Sequence, residues 1–462
     1  MNMSQPEPLS LADLIEAGAG VGRAIETMGA SLPLDHFSDA TSLDGNLDRL
    51  EGRSVVLMAG DQLNTAAALI ELDGRARRIV LCPPDLEARH LAAVARDAQA
   101  DAVVYDAQSL PPRGIDITLA APCTLPLRPR RAAPVRRRAT EWVMLTSGTT
   151  GDPKMVVHTL ATLTGAISPR AYRAAAQNWA TFYDIRRYGG LQIFLRAVAD
   201  RGSLTLRSAG ETVDDFLIRA GAAKVTHISG TPSHWRLVLM NRAARRIDPD
   251  YVRLSGEIAD QAVLDALSAL YPQARIAHAY ASTEAGVGFE VDDGRAGFPA
   301  SYLGERENGV AMRIVDGSLR IRSSRAALRY LGDNAPDLRD PEGFVDTGDM
   351  IEARGDRCHF VGRRGGIINV GGAKVNPEEV EAVINLHPGV HASLVKARKS
   401  PITGALVAAD VVLNEGVIEA ATLKEEIVAA CASRLAPHKV PALVRFVPSL
   451  AVTAGGKLAR NG

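Results

Sequence analysis

The sequence predicts an α/β protein with a large N-terminal domain and a smaller α+β C-terminal domain. In the first part of the chain, short β-rich runs alternate with helical stretches, a pattern typical of parallel βαβ units. From about Gly297 to Phe360 the pattern changes to short strands joined by turns, which predicts an antiparallel region. A last unit begins near Arg363. We therefore expect domains at 1–362 and 363–462.

Each element has its own signal. The helix after Asn376 starts with a capping residue, Pro377 and two glutamates, the usual composition of a first turn. The stretch from Pro111 to Arg138 lacks periodicity and is predicted to be a connection. The strands are expected at 53–60, 76–84, 100–106, 202–208, 225–230, 310–324 and 355–362, and the helices at 61–72, 85–99, 212–222, 232–245, 260–271 and after 376.

Composition excludes several classes of protein. The 53 basic and 53 acidic residues give a net charge of zero, so neither nucleic acid nor a membrane surface is an expected partner. No apolar run is long enough to cross a membrane, and we expect a cytoplasmic protein without membrane insertion. The arginine-rich run from Arg128 to Arg138 is interpreted as a solvated linker, with a weak electrostatic funnel for polyphosphate as the alternative.

The four cysteines are scattered along the chain, and no two of them have the spacing of a metal or redox pair. They are expected to be small core residues of a reduced protein. Their positions are Cys82, Cys123, Cys358 and Cys431.

A phosphate-binding loop is predicted in "LTSGTTGDPKMVVH", Leu145 to His158. Its small residues let backbone N–H groups converge on an anion, its hydroxyls add donors, and Lys154 supplies charge. The common G-x-x-x-x-G-K-[ST] loop does not fit, because the glycines are too close and Pro153 precedes the lysine. Alone, such a loop is also compatible with a flexible linker.

The whole string resembles the phosphate loop of the adenylate-forming superfamily, which includes acyl- and aryl-CoA ligases, adenylation domains and luciferases; only Met155 departs from it. Four further motifs follow in the order of that family: "AYASTEAG", "DTGDM", "FVGRRGGIINVGGAKVNPEEVE" and "LAVTAGGKLAR". The chain looks most like a short acyl- or aryl-CoA ligase. The resemblance also implies a distorted antiparallel barrel and a mobile C-terminal domain.

The resemblance implies a role for each motif. Glu284 would hold Mg²⁺, Thr283 would touch the α-phosphate of ATP, and Asp349 would accept hydrogen bonds from the ribose beside Arg363. Lys457 would bridge the carboxylate and the α-phosphate. The leaving phosphates would lie against Thr146, Ser147, Gly148, Thr149, Thr150, Gly151 and Lys154, and the adenine side against Ser255, Gly256, Glu257, Tyr280, Ala281 and Ser282.

A second step would transfer the acyl group to a thiol after the C-terminal domain has rotated. The turn Gly371-Gly372 and Lys374 would then face the pantetheine arm and a nucleotide phosphate; a plain tight hairpin is the alternative. The hinge position usually holds Asp or Lys, but this chain has Gly365, which tolerates a large backbone change and lacks a polar switch contact.

The acyl pocket is less clear, because the histidine usual in the family is absent. We expect it to be lined by Tyr183, Asp184, Gly190, Ser229, Gly230 and Thr231. Scarce acidic groups favour an apolar or aromatic acid. Asp184 could instead bind an amino group, and Arg186 or Arg187 a second carboxylate, with structural roles as the alternative.

The expected activity is ATP- and Mg²⁺-dependent conversion of a carboxylic acid to an acyl-adenylate, followed by transfer to coenzyme A. One alternative is a free-standing enzyme that loads an acyl, aryl or amino acid onto the phosphopantetheine of a carrier protein. A second is an inactive nucleotide-binding homologue, although four charged residues of the motifs are retained. A homodimer is compatible with the sequence.

Overall fold

The computed structural model describes residues 9–17, 22–130, 137–146, 153–167, 177–200, 202–370, 373–400, 404–418 and 421–451. The fold is mixed α/β, with mainly parallel sheets, a curled antiparallel sheet and a small C-terminal domain. The chain divides into two compact units. The first comprises Met1–Ser229, Ala281–Gly288 and Ser323–Val345, and the second comprises Gly230–Tyr280, Phe289–Arg322 and Asp346–Gly462.

The bounds of the elements in the described residues are as follows. The helices are α1 Leu11–Ala17, α2 Gln62–Leu72, α3 Ala88–Asp97, α4 Leu160–Thr164, α5 Tyr188–Ala199, α6 Val213–Ala222, α7 Pro232–Leu239, α8 Gln261–Leu270, α9 Pro377–Ile384 and α10 Ala421–Ala432. The strands are β1 Ala24–Thr27, β2 Ala30–Pro33, β3 Ala40–Thr41, β4 Ser54–Met58, β5 Arg78–Leu81, β6 Ala102–Asp106, β7 Leu119–Cys123, β8 Arg128–Pro129, β9 Glu141–Thr146, β10 Lys154–Thr159, β11 Trp179–Thr181, β12 Leu204–Leu206, β13 His227–Gly230, β14 Tyr251–Ser255, β15 Arg275–Ser282, β16 Gly286–Val291, β17 Phe298–Pro299, β18 Gly304–Glu305, β19 Val310–Val315, β20 Ser318–Ser323, β21 Arg329–Leu331, β22 Val345–Arg354, β23 Arg357–Arg363, β24 Ile368–Val370, β25 Ala373–Val375, β26 Val390–Ser400, β27 Gly404–Leu413 and β28 Leu443–Phe446.

The first unit carries a sheet of order β21-β10-β9-β5-β4-β6-β7. Strands β9, β5, β4, β6 and β7 are parallel to their neighbours, whereas β10 and β21 are added antiparallel at one end. A second set of strands in this unit runs β13-β11-β12-β1-β2, parallel except for β2. The predicted parallel βαβ arrangement is therefore confirmed.

The second unit contains the parallel pair β14 and β15 and the curled antiparallel sheet β17-β23-β22-β20-β19-β18. Its C-terminal part consists of the hairpin β24-β25, the sheet β26-β27-β28 and helices α9 and α10. Val375, Val380, Ile384 and Val395 are fully buried in one core there. The predicted antiparallel region and small α+β domain agree with this architecture, while the boundary at 362/363 stays a prediction.

Local signals explain where several helices begin. Asp61 accepts hydrogen bonds from the backbone N–H groups of Leu63 and Asn64 and so caps α2. Thr212 caps α6 in the same way through the N–H of Asp215. Short polar side chains at these positions satisfy donors that the first turn of a helix leaves unpaired.

One predicted connection is wrong. The stretch from Pro111 to Arg138 contains β7, which extends the large sheet beside β6, and β8, which pairs with β3. Both strands are short, carry a proline and lie at the end of their sheets, where a missing backbone N–H costs little. Those prolines hide the strand signal in the sequence. Arg128 forms an exposed ion pair with Asp44.

All four cysteines are free and buried, as predicted. Burial raises the pKa of the Cys82 and Cys123 thiols to about 12. Among the described residues, no helix combines the length and the apolar character needed to cross a membrane.

The buried carboxylate Asp73, which follows α2, predicts a pH-dependent stability. Trp142 Nε1 donates to its Oδ1 at 2.8 Å and the Leu11 N–H donates to its Oδ2 at 2.9 Å, yet burial raises the pKa of Asp73 to about 6. Because the folded-state pKa lies above the unfolded one, the stabilisation by this proton is complete below about pH 4 and is lost as the pH rises through about 6. The free energy of unfolding falls by about 3 kcal/mol over this range.

Asp73→Asn removes this dependence. We expect the free energy of unfolding of the native chain to fall more steeply than that of Asp73→Asn between pH 4 and pH 7, measured by urea titration with tryptophan fluorescence. Parallel pH profiles for the two proteins would contradict the assignment.

Candidate active site

The predicted phosphate loop connects two strands whose ends are fixed. Thr146 ends β9 and Lys154 begins β10, and the two residues are partners in an antiparallel register. The Thr146 hydroxyl oxygen is buried and has no hydrogen-bond partner among the described residues, while Lys154 is exposed. The residues between them that were predicted to hold phosphate lie outside the described residues: Ser147, Gly148, Thr149, Thr150 and Gly151.

Glu284 lies in the short loop between β15 and β16, and the backbone of this loop is held at several points. The Thr283 carbonyl accepts a hydrogen bond from His158 Nε2 at 2.7 Å, and the Glu284 carbonyl accepts one from the Ala327 N–H at 2.9 Å. Gly286 has φ +75°, and a Cβ there would lie 2.3 Å from the Arg325 carbonyl oxygen. Only glycine fits at that point, because any side chain would meet the Arg325 backbone.

Tyr330 lies between the two predicted phosphate-site charges. Lys154 Nζ is 5.3 Å from the centre of the Tyr330 ring, and the Tyr330 hydroxyl is 3.5 Å from Glu284 Oε1. Burial, with a smaller contribution from Glu284, raises the pKa of Tyr330 to about 12, so the phenol keeps its proton. The structure thus brings Lys154 and Glu284 close to one aromatic ring, Tyr330, which no sequence motif marked as a site residue.

This arrangement fits a bound magnesium ion. In the part of the chain that the structure describes, the carboxylate of Glu284 has one long contact, with the Tyr330 hydroxyl, which leaves most of its lone pairs available to a metal ion. Among the described residues, no three His, Cys, Asp or Glu side chains gather closely enough to form a protein-only metal site. Mg²⁺ is commonly held by one or two carboxylates together with phosphate oxygens of a substrate, which matches a single glutamate beside a phosphate loop.

His158 is a site residue that sequence reasoning noted only as part of the motif. Its ring is fully buried, and Nδ1 lies 2.9 Å from Thr162 Oγ1. Burial lowers the pKa of His158 to about 4, so the ring is neutral at pH 7. The motif itself was the signal that could have found it, but its partner Thr283 is 125 residues away in the chain.

In the second unit, Asp349 is the centre of a polar cluster. Tyr280 Oη donates to Asp349 Oδ2 at 2.6 Å, and Arg363 Nε donates to Oδ1 at 2.8 Å. Asp349 and Arg363 are register partners on β22 and β23, which places the ion pair across the hairpin. Asp349 is only 8% exposed, and its neighbours in the described part of the chain use one lone pair on each oxygen. The remaining lone pairs suit a ligand with hydroxyl donors.

The ring of Tyr280 belongs to an aromatic cluster. It stacks with Phe360 at 5.0 Å between ring centres and with Phe289 at 5.6 Å. Burial and the neighbouring Asp349 raise the pKa of the Tyr280 hydroxyl. Its predicted role beside adenine stays a prediction.

The other predicted nucleotide residues occupy strand ends and turns. Ser255 ends β14, Gly256 follows with φ +85°, and Glu257 Oε2 accepts the N–H of Ser233 in the first turn of α7 at 2.9 Å. Ala281 and Ser282 end β15.

The C-terminal motifs are partly described. Lys374 lies in β25, Gly365 lies in a 3₁₀ turn, and Gly371, Gly372 and Lys457 lie outside the described residues.

Four of the predicted acyl-pocket residues, Tyr183, Asp184, Gly190 and Ser229, lie in the first unit, and Gly230 and Thr231 lie in the second. Asp184 and Arg186 form an ion pair at 2.5 Å, and Arg186 also donates to the carbonyls of Ala59 and Gly60. Arg187 pairs with Asp85. These contacts give all three charged residues the structural role that was the alternative reading, and a role in substrate binding stays a prediction.

The other predicted acyl-pocket residues are small or buried. A Cβ on Gly190 would lie 2.1 Å from the Asp184 carbonyl oxygen, so glycine is required. Tyr183 is buried beside it, and the fully buried Ser229 hydroxyl has no hydrogen-bond partner among the described residues. Gly230 ends β13, and Thr231, in the second unit, caps α7.

Comparisons with known proteins extend these observations. The chain is 31% identical over 265 residues to the 2-succinylbenzoate–CoA ligase of Salmonella typhimurium, a match that covers 54% of this chain and 53% of the relative. It is 23% identical to a probable non-canonical nonribosomal peptide synthetase of Salinispora arenicola, over all of this chain and 6% of the relative. The chain thus spans about half the length of the ligase that it matches, and far less of the synthetase.

The fold has a close counterpart among solved structures. A crystal structure of an anthranilate CoA ligase in complex with anthranoyl-AMP superposes with a TM-score of 0.80, over 98% of this chain and 96% of that one, at 18% identity. This likeness confirms the predicted fold class. The family pattern described as AMP-binding enzyme matches residues 51–322, and the pattern described as AMP-binding enzyme C-terminal domain matches residues 379–457. The chain therefore belongs to the AMP-binding enzyme family, as the resemblance of its five motifs predicts.

Proposed function

We propose that this protein is an acid–thiol ligase that activates a carboxylic acid with ATP and Mg²⁺ and transfers the acyl group to coenzyme A. The observation that carries the proposal is the position of Lys154 and Glu284 on either side of Tyr330, next to the two strand ends that hold the phosphate loop. A cation and a carboxylate on either side of one ring suit a metal-bound polyphosphate. A protein that only packed a core would not place them there.

In the first step an oxygen of the substrate carboxylate attacks the α-phosphorus of ATP, and the bond to the β-phosphate oxygen breaks as pyrophosphate leaves. Lys154 would face the charge of the leaving phosphates, and Glu284 would hold Mg²⁺, which neutralises phosphate charge when bound. Asp349 would accept the ribose hydroxyls, while Arg363 keeps its carboxylate oriented. These groups position and neutralise rather than form covalent bonds.

In the second step a thiol attacks the acyl carbon, and AMP leaves. We favour coenzyme A as the acceptor because the Salmonella typhimurium relative is named as a CoA ligase. Its identity to this chain, 31%, exceeds the 23% of the peptide synthetase. The phosphopantetheine of a carrier protein is the second candidate, favoured by the likeness over the whole chain to a peptide synthetase.

Pyrophosphate release measured with a panel of aliphatic, aromatic and amino acids tests the proposal. We expect release with at least one acid and formation of its thioester, detected by mass spectrometry, when CoA is added. A thioester on a phosphopantetheinylated carrier protein but none on CoA would favour the second candidate. ATP binding without pyrophosphate release for any acid would favour the inactive homologue.

Asp349→Asn is expected to weaken nucleotide binding through the ribose. The variant loses the charge that both Tyr280 and Arg363 face, so we expect KM for ATP to rise about tenfold or more with a smaller change in kcat. The native enzyme should discriminate ATP from 2′-deoxy-ATP, and the variant should discriminate less.

Asp346→Asn is the matched control, since Asp346 lies on the same strand and its carboxylate contacts Ser318 and Arg364 instead. Its KM for ATP should stay within about twofold of the native value, the range of a surface change. An equal rise in KM for both variants would argue that the strand was disturbed as a whole.

A further inference from the structure

The ring of His158 joins two segments of the first unit that are distant in sequence. His158 lies on β10, the strand that begins with Lys154, and its Nε2 reaches the Thr283 carbonyl at 2.7 Å. On the other side, Nδ1 meets the hydroxyl of Thr162 on α4 at 2.9 Å. The ring is 0% exposed, so water does not compete for either contact.

The chemistry of its partners determines the tautomer. A carbonyl oxygen can only accept, so Nε2 must carry the proton that faces Thr283. Because burial keeps the ring neutral at pH 7, Nδ1 is then an acceptor, and the Thr162 hydroxyl is the donor within reach. The Thr283 carbonyl therefore selects the Nε2–H form of the ring, and the Thr162 hydroxyl, which also contacts the Thr159 carbonyl, stabilises that form by donating to Nδ1.

The two hydrogen bonds on this loop fix the backbone on both sides of Glu284. The Thr283 carbonyl belongs to the peptide plane that precedes the Glu284 Cα, and His158 holds that plane. The Glu284 carbonyl belongs to the plane that follows, and the Ala327 N–H holds it at 2.9 Å. With both planes fixed, φ and ψ of Glu284 are fixed, and so is the direction in which its side chain leaves the backbone.

We propose that His158 is a positioning residue that orients Glu284 toward a nucleotide-bound Mg²⁺ through the Thr283–Glu284 peptide plane. The inference rests on the proposed function, since it assigns Glu284 to the metal. His158 itself touches neither substrate nor metal. Its effect should therefore be on the affinity for the Mg²⁺–ATP complex, and supporting groups of this kind are worth about 10- to 100-fold in metal affinity.

Two substitutions separate positioning from packing. Gln at position 158 keeps an N–H donor near the place of Nε2, whereas Leu fills space without a donor. For His158→Leu we expect Kd for Mg²⁺–ATP, measured by calorimetry, to rise about tenfold, with kcat for pyrophosphate release changed less. Kd for ATP in EDTA should stay close to the native value. His158→Gln should recover most of the affinity.

If His158→Leu does not fold, Thr162→Val provides a second test of the inference. This variant removes the donor to Nδ1 together with the contacts of that hydroxyl to the Thr159 N–H and carbonyl at the start of α4, so we expect a weaker but parallel loss of Mg²⁺–ATP affinity. It should also shift the ¹⁵N resonances of the His158 ring away from those of a pure Nε2–H tautomer, a readout that is independent of catalysis.

The outcomes distinguish this inference from the proposed function. If the native enzyme neither binds Mg²⁺–ATP nor releases pyrophosphate, the proposed function fails and the inference fails with it. If the native enzyme does both, and folded His158→Leu binds Mg²⁺–ATP as tightly as the native protein, only the inference is overturned. Equal weakening of ATP binding with and without Mg²⁺ would likewise overturn it, because the effect would then not pass through Glu284.

Discussion

Glu284→Gln is expected to lower the rate of pyrophosphate release about 100- to 1,000-fold at fixed Mg²⁺. The amide keeps the size of the side chain and an oxygen for the contact with Tyr330, but it lacks the charge that a hard divalent cation requires. Raising the Mg²⁺ concentration should restore part of the rate. Initial rates across a Mg²⁺ titration measure both effects.

Glu305→Gln is a suitable control for this substitution. Glu305 is an exposed carboxylate in β18 whose partner is Arg322, and its loss should leave the rate within about twofold of native. If Glu284→Gln kept a third or more of the native rate at every Mg²⁺ concentration, Glu284 would not be the metal ligand.

Lys457→Ala is expected to separate the two half-reactions. The resemblance assigns this ammonium to the charge that builds between the carboxylate and the α-phosphate, so its loss should slow adenylate formation about 100-fold or more. Thioester formation from a supplied acyl-adenylate contains no such step and should remain within about threefold of native. Pyrophosphate release and thioester formation are measured separately on the same preparation.

The supplied adenylate is the internal control of that experiment. A variant that was misfolded or unable to bind nucleotide would lose both activities. Equal loss of both steps in a variant with the native thermal midpoint would refute the role given to Lys457.

Much of the fold could be predicted because its signals are local. Periodicity and capping residues such as Asp61 and Thr212 mark the helices, and short β-rich runs mark the parallel strands that follow or precede them. The short strands β7 and β8 could not be found in this way, since their place in a sheet depends on partners elsewhere in the chain.

The candidate site could likewise be predicted only where its signals are local. Motifs quoted from the sequence selected Lys154 and Glu284 as site residues but gave neither a place in a strand or a loop. They could not show that Tyr330 lies between these charges or that His158 holds the Thr283 carbonyl, because both contacts join segments more than 40 residues apart. Tyr330, between Arg329 and Leu331, cannot be identified as a site residue from the sequence, because only the pairing of β21 in the sheet brings it to the site.

The burial of the cysteines has a consequence for the proposed activity, which would make reactive acyl compounds. Mixed anhydrides and thioesters acylate thiolates, and a protein thiolate in water would compete with the intended acceptor. Burial raises the pKa of every cysteine here, to about 11 even for Cys431 and about 12 for Cys82 and Cys123, so neutral solution holds almost no protein thiolate. The enzyme should consequently resist modification by its own activated product. It also offers an unreactive background on which a single introduced surface cysteine could carry a fluorescent label.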